Sequence, residues 1–215
     1  RMSWQRRLWP VTEYHQMMGG TGGAGVGGAL PISLGVALAN NDKGLLTVTI
    51  QPDGDLMYAP GALWTAAHHK IPLLMVMHNN RCYHQEIMHV QRMAGIHQRR
   101  QDTCHIGNVI TNPEIDFAKV AQGLGVWAEG PITDPGRIGP ALKRAVAGHD
   151  AVINLATHIP PAAWKMLFRP FWRLNDRIRT EGAANVAAAA LEGGATRLVQ
   201  ESFAPVYPDS GDRWI

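Results

Sequence analysis

Two short polar runs each follow an apolar stretch. Asp53-Gly54-Asp55 comes after Leu45–Gln51, and Asn79-Asn80 comes after Pro72–Met77. Asp53 and Asn80 stand 27 positions apart. A carboxylate and an amide oxygen are hard donors; with backbone carbonyls and phosphate oxygens they suit an octahedral Mg²⁺. Gly54, without a side chain, lets backbone N–H groups face a phosphate closely. Upstream lies a second candidate for ligand contact: seven of the first ten glycines fall within Gly19–Gly28 (GGTGGAGVGG).

Such residues work only if regular elements hold them together. Leu45–Gln51 (LLTVTIQ) and Pro72–Met77 read as buried strands. Ala29–Asn40 reads as a helix with Pro31 in its first turn, where a missing N–H does no harm. Pro60–His69 is a further helix, and Glu86–Gln98 has helical spacing with Ile87, Val90, Met93 and Ala94 on one side. A helix from Asn112-Pro113 to Gln122, a strand at Gly125–Ala128 and a helix at Pro140–Ala147 follow. Alternating strands and helices predict an α/β fold, a mostly parallel sheet flanked by helices. Ligands of such sheets sit at the carboxyl ends of the strands, where both polar runs lie.

The 215 residues predict one large domain or two small ones. With 46% hydrophobic and 17% charged residues the chain can fill a sizeable core. The longest apolar run, Ile71–Met77, is too short to cross a bilayer, and no apolar segment follows Arg1, Arg6 and Arg7, so neither a membrane span nor a signal peptide is expected. Two cysteines, Cys82 and Cys104, exclude a disulfide scaffold and point to a reducing, cytoplasmic setting. A net charge of +3 is too weak to indicate nucleic acid.

An Asp-Gly pair, a helix and strand, then a double Asn resembles the diphosphate-binding signature of thiamine-diphosphate-dependent enzymes. Gly25-Val26-Gly27-Gly28-Ala29-Leu30-Pro31 resembles the segment that precedes it in the acetohydroxyacid synthase/decarboxylase group, so the resemblance covers about residues 19–147. It implies a thiamine-diphosphate-binding fold with thiamine diphosphate and Mg²⁺ as cofactors. By position, Asp53, Asn80 and the Cys82 backbone carbonyl would ligate Mg²⁺, and Gly54 and Asp55 would hold the diphosphate. Val26 would force the bent cofactor conformation, the carbonyl of Ala24 beside Gly25 would accept from the aminopyrimidine, and Tyr83, His84 and Glu86 would border the reaction centre. Some relatives place a catalytic carboxylate where Glu86 stands. The implied reaction is carbon–carbon cleavage or ligation beside the carbonyl of a small 2-oxo acid, as in acetolactate synthesis, with the cofactor as electron sink.

Two departures carry expectations. Pro52 stands where the family has Gly, so a turn that needs φ > 0 would lower cofactor affinity. The glutamate that activates the cofactor sits on a separate pyrimidine-binding domain of the family, which 215 residues do not accommodate. A partner chain would supply it, or this chain is a piece of a longer one; a half-site also predicts association.

From about residue 148 the character changes. His149–Ala156 reads as a strand, Arg173–Leu191 as an alanine-rich helix and Thr196–Glu201 as another strand. Arg179–Ala190 and Thr196–Tyr207 resemble an extended short-chain dehydrogenase/epimerase, giving domains of 1–147 and 148–215, the second an incomplete Rossmann-like segment. Asn154-Leu155-Ala156 would be its cofactor-adjacent strand end and Ser202 its active-site serine region, but its Tyr-x-x-x-Lys is missing and Arg179 stands where many relatives have Asn. The rival functions are therefore a nicotinamide-dependent epimerase or reductase fragment and a non-catalytic assembly subunit.

Blander readings exist for the other features. Gly20-x-Gly22-x-x-Gly25 matches a dinucleotide fingerprint, but no strand is expected before it. Seven of ten histidines lie between His68 and His105, yet His84 and His89 are five apart, not at the spacing of a zinc helix. Arg92, Arg99 and Arg100 read as a solvated face, Glu86 also fits a solvated helix-start charge, and Cys82 needs no thiol for a backbone role. Trp164, Phe168, Phe171 and Trp172 suit core packing or partner contact equally.

Overall fold

A computed structural model describes residues 12–13, 16–18, 26–147, 151–156, 173, 181, 185 and 197–200. Six parallel strands form one sheet: β1 (Met17–Met18), β2 (Thr47–Pro52), β3 (Leu73–Asn79), β4 (Trp127–Ile132), β5 (Ala151–Ala156) and β6 (Arg197–Gln200), in the order β1-β6-β2-β3-β5-β4. Among the described residues, six helices with defined bounds accompany them: α1 (Ala29–Asn40), α2 (Asp53–Leu56), α3 (Gly61–His69), α4 (His84–Ile96), α5 (Phe117–Gly123) and α6 (Ile138–Val146). No described helix is long and apolar enough to cross a membrane.

Strand alternation divides the core into two layers. On one face, Val48 and Ile50 of β2 and Leu74 and Val76 of β3 pack against Ile138, Ala141, Leu142 and Ala145 of α6. On the other, Leu73, Met75 and Met77 of β3 meet Leu30, Leu34 and Ala37 of α1, Leu63 and Ala66 of α3, and Phe117, Ala118 and Ala121 of α5. These burials, at about 25 cal/mol per Å² of apolar surface, hold the strand ends in register.

The face of β2 turned to α1 is polar. Thr47 and Thr49 are buried, and α1 supplies their partners: the Asn40 amide donates to Thr47 Oγ1 at 3.4 Å, and Ser33 Oγ bonds Thr49 Oγ1 at 2.9 Å. Ser33 also donates back to the Ala29 carbonyl at 2.8 Å. A 3-10 turn, Asn41–Lys43, follows α1, and Gly44 at φ 64° provides the left-handed residue that turns the chain into β2.

Several expectations shift. The helix expected from Asn112-Pro113 starts only at Phe117, because the Asp116 side chain caps it by accepting from Lys119 N at 3.1 Å, and Asn112 takes φ 61°. The strand expected at Gly125–Ala128 runs instead over Trp127–Ile132. Of the stripe expected on α4 only Ile87 is buried; Val90 and Met93 are exposed, as are Met88 and Ile96. A strand does precede the glycine segment: β1 is two residues long and exists through its pairing with the distant β6, a contact that no local pattern announces.

Two described strands from beyond residue 148 belong to this same sheet. β5 lies between β3 and β4, and β6 lies between β1 and β2. Most of the expected Arg173–Leu191 helix, with Arg179, and the positions Ser202, Trp164, Phe168, Phe171 and Trp172 lie outside the described residues.

Candidate functional site: a buried carboxylate cradle

The two polar runs meet at the carboxyl ends of β2 and β3, which pair from Thr47↔Leu73 to Pro52↔His78. Pro52 is extended, at φ −80° and ψ 155°, so the ring fits without strain and the expected penalty for replacing Gly does not arise here. α2 begins immediately after it and buries Asp53, Gly54, Asp55 and Leu56.

Asp53 is fully buried. Its Oδ2 accepts from the backbone N–H of Arg81 at 2.6 Å, while its buried Oδ1 has no hydrogen-bond partner. Burial pushes its pKa up from 3.8 to about 6, a rise only partly offset by the backbone N–H groups of Arg81, Gly54 and Asn80. Asp55 repeats the arrangement. Its Oδ1 accepts from Gly27 N at 2.5 Å, and its buried Oδ2 has no partner. The Arg81 guanidinium pairs instead with the exposed Glu114 at 2.9 Å. Two buried carboxylates therefore each keep one unbonded oxygen.

The second run is shaped by backbone bonds. Arg81 stands at φ 58°, a left-handed conformation uncommon for a side-chain-bearing residue. It presents its N–H to Asp53, while Asn80 Oδ1 accepts from Cys82 N at 3.0 Å. A single antiparallel bridge, Cys82↔Val109, anchors the loop from outside through Tyr83 N to Asn108 O at 2.8 Å and Ile110 N to Arg81 O at 2.7 Å. Cys82 is buried with Ile87 and Cys104, and both cysteines are free thiols.

Tyrosines cover the cradle. A Cβ added at Gly54 would lie 2.6 Å from Tyr83 Cε1, and one added at Gly27, itself at φ 90°, would lie 2.6 Å from Tyr58 Cβ. The two rings meet edge to face with centroids 6.1 Å apart. Burial first, then the neighbouring Tyr58, pushes the Tyr83 phenol up, so it stays protonated near neutrality.

Of the residues expected from sequence, Asp53, Gly54, Asp55, Asn80, Cys82 and Tyr83 come together. Val26, 39% exposed, precedes the Gly27 that ties to Asp55. His84 and Glu86 open α4, His84 half-buried and Glu86 exposed. Ala24 and Gly25 lie outside the described residues. Sequence reasoning assigned no role to Arg81, Gly27 or Tyr58. For Arg81 a signal existed, since Asn-Asn-Arg at a strand end favours a turn.

Two buried carboxylates would repel a diphosphate. A divalent cation between them removes the repulsion, and the donors available (carboxylate, amide oxygen, backbone carbonyl) are the hard oxygens that Mg²⁺ takes. The residues present thus fit a metal-bridged diphosphate. Residues 2–155 match the family described as the thiamine pyrophosphate enzyme C-terminal TPP-binding domain. The chain belongs to this family. A Mycobacterium tuberculosis protein named among the acetolactate synthase large subunits, IlvX, is 30% identical over 133 residues, 62% of this chain and 25% of its own length. A solved structure from Mycobacterium smegmatis, titled as a thiamin diphosphate-dependent enzyme, is 25% identical, covers 63% of this chain and 22% of its own, and superposes with a TM-score of 0.47. The chain thus spans about a quarter of the length of these relatives. The family match runs past residue 147 into β5, and the comparisons give no support to a dehydrogenase/epimerase segment.

Proposed function

We propose that this TPP-binding domain holds thiamine diphosphate through Mg²⁺ as half of an active site that cleaves or joins carbon–carbon bonds beside the carbonyl of small 2-oxo acids, in the manner of an acetolactate synthase. The observation that carries the metal is the pair of unbonded, buried carboxylate oxygens, Asp53 Oδ1 and Asp55 Oδ2, two positions apart in sequence. In this reading Asp53, Asn80 and the Cys82 carbonyl hold Mg²⁺. Gly54 and Asp55 hold the diphosphate end, and Val26 takes the bulky position that forces the bent cofactor; Ala24 and Gly25, proposed for the aminopyrimidine end, lie outside the described residues.

When bound, thiamine diphosphate supplies the electron sink for the bond that breaks. The chain's own residues orient and shield. Tyr83 over Gly54 excludes water from the diphosphate end, and its raised pKa keeps it a neutral donor. Arg81 N fixes one oxygen of Asp53, so the carboxylate meets the cation in one orientation. In this reading His84 and Glu86 would move protons beside the substrate, and their position in the first turn of α4 supports it.

The activating glutamate belongs to residues outside this chain, whether on a partner subunit or on the remainder of a longer protein. That the matched stretch makes up only 25% of the Mycobacterium tuberculosis relative supports that division. Two buried free thiols accord with a reducing, cytoplasmic setting.

The test is a calorimetric titration of the chain with thiamine diphosphate and Mg²⁺, with Asp53→Ala and a nicotinamide dinucleotide alongside. Saturable, Mg²⁺-dependent binding that the variant loses is the expected result. Nicotinamide binding in its place would overturn the reading.

A further inference from the structure

The polar seam between β2 and α1 has three steps, and the third has no mate. Thr47 meets Asn40 and Thr49 meets Ser33. Gln51, the next residue on that face, is 1% exposed, and neither its amide oxygen nor its amide nitrogen has a hydrogen-bond partner. Its register partner on β3 is Met77, fully buried and apolar. A buried polar group left unbonded costs on the order of 1–3 kcal/mol, so an amide orphaned at both ends requires an explanation.

Its position supplies one. α1 runs back along β2: the step from Asn40 to Ser33 on the helix matches the step from Thr47 to Thr49 on the strand. Continued by one step, seven residues back from Ser33, the same match sets Gln51 opposite Val26 and Gly27, just ahead of α1, where Gly27 bonds Asp55. By that register Gln51, two residues before Asp53, lies toward the cradle, whose carboxylate oxygens Asp53 Oδ1 and Asp55 Oδ2 are likewise unbonded.

The chemistry of the amide narrows the occupant. A primary amide offers a donor and an acceptor together. A bare diphosphate offers acceptors only. A diphosphate carrying Mg²⁺ offers both, since Mg²⁺ sheds its water reluctantly and keeps several molecules as donors. We propose that Gln51 is a further cofactor-binding residue of the cradle, its amide nitrogen donating to a diphosphate oxygen and its amide oxygen accepting from a metal-held water. This rests on the thiamine diphosphate reading above.

The experiment uses the full chain and two variants, Gln51→Met and Gln51→Leu, which keep volume and remove the amide. Each is titrated calorimetrically with thiamine diphosphate plus Mg²⁺, and with inorganic diphosphate plus Mg²⁺. Each is also melted with and without ligand. The expected result is about a tenfold loss of affinity for both ligands, the size of one lost hydrogen bond to a charged group. Without ligand, the variants melt at or above the wild-type temperature, because the orphaned amide is gone.

Unchanged affinity in the variants, with the wild type binding normally, overturns this proposal alone. So does a loss confined to thiamine diphosphate and absent with inorganic diphosphate, which would put Gln51 at the other end of the cofactor. No binding by the wild type overturns the thiamine diphosphate reading and this inference with it.

Discussion

The loop after β2 and the helix after β3 carry the two halves of the expected site, and they are finished to different degrees. Asp53 to Leu56 are buried, tied by backbone bonds to Gly27 and Arg81, and roofed by Tyr83. α4, which carries His84 and Glu86, buries only Ile87 and leaves Met88, Val90, Met93 and Ile96 open. The difference separates two tasks. In the proposed reading, the groups that would hold a metal-bridged diphosphate are enclosed by this chain, while those proposed for proton transfer stand on a helix whose apolar side chains it leaves uncovered.

The strongest way to break that comparison is Asp53→Asn. It removes the carboxylate whose free oxygen faces the proposed cation, and Mg²⁺-dependent binding of thiamine diphosphate should fall at least a hundredfold by calorimetry. Undiminished binding would show that the enclosed half is not the metal site.

Gly54→Ala comes next. Its Cβ would sit 2.6 Å from the Tyr83 ring, so either the ring or the backbone must yield. The expected cost is about 1–3 kcal/mol of overpacking, read by urea unfolding. Recovery in the Gly54→Ala/Tyr83→Leu double variant would confirm the ring as the cause.

Third is the effect of pH on the metal-free chain. Folding raises the Asp53 pKa from 3.8 to about 6, so between those values the folded state binds more protons than the unfolded one. The penalty for burying this charge therefore grows as pH rises from about 4 to 6 and is fully present above. The shift corresponds to about 3 kcal/mol at most. The stability of Asp53→Asn minus that of wild type should increase across that window, and a flat difference would refute the assignment.

Two small effects sharpen the contrast. Glu86→Gln, on the exposed start of α4, should leave both stability and cofactor affinity within about twofold, and change only turnover measured with the complementary half of the site present. Glu114→Ala, which removes the exposed ion pair to Arg81, should cost under about 1 kcal/mol. A larger loss would mean that the Arg81 side chain, and not only its backbone, holds the loop.

What could be seen in advance follows the range of the interactions. α1 was legible from Ala29 to Asn40 because the first-turn proline and the Asn41–Gly44 stop are local signals. β2 and β3 were legible as branched, apolar runs followed by turn residues. That Asp53 and Asn80 come together was legible because each follows an apolar run at the carboxyl end of a strand. Arg81 was missed because its part is played by a backbone N–H, to which the side chain gives no clue. Gln51 was missed because an amide at the end of a strand looks ordinary until its burial is known. The start of α5 was placed too early because Asn-Pro suggested a helix start, whereas the Asp116 cap sets it. β1 and β6 depend on each other across most of the chain's length.

The place of β5 bears on where the chain can be cut. A chain ending at residue 147 would keep Asp53, Asn80 and every other described residue of the cradle. Yet β5 is the strand through which β3 and β4 are joined. Without it both would show raw edges, rows of unpaired N–H and C=O groups that invite pairing with other molecules. The shortened protein would carry an intact list of ligand-binding residues and come out of the cell as aggregate.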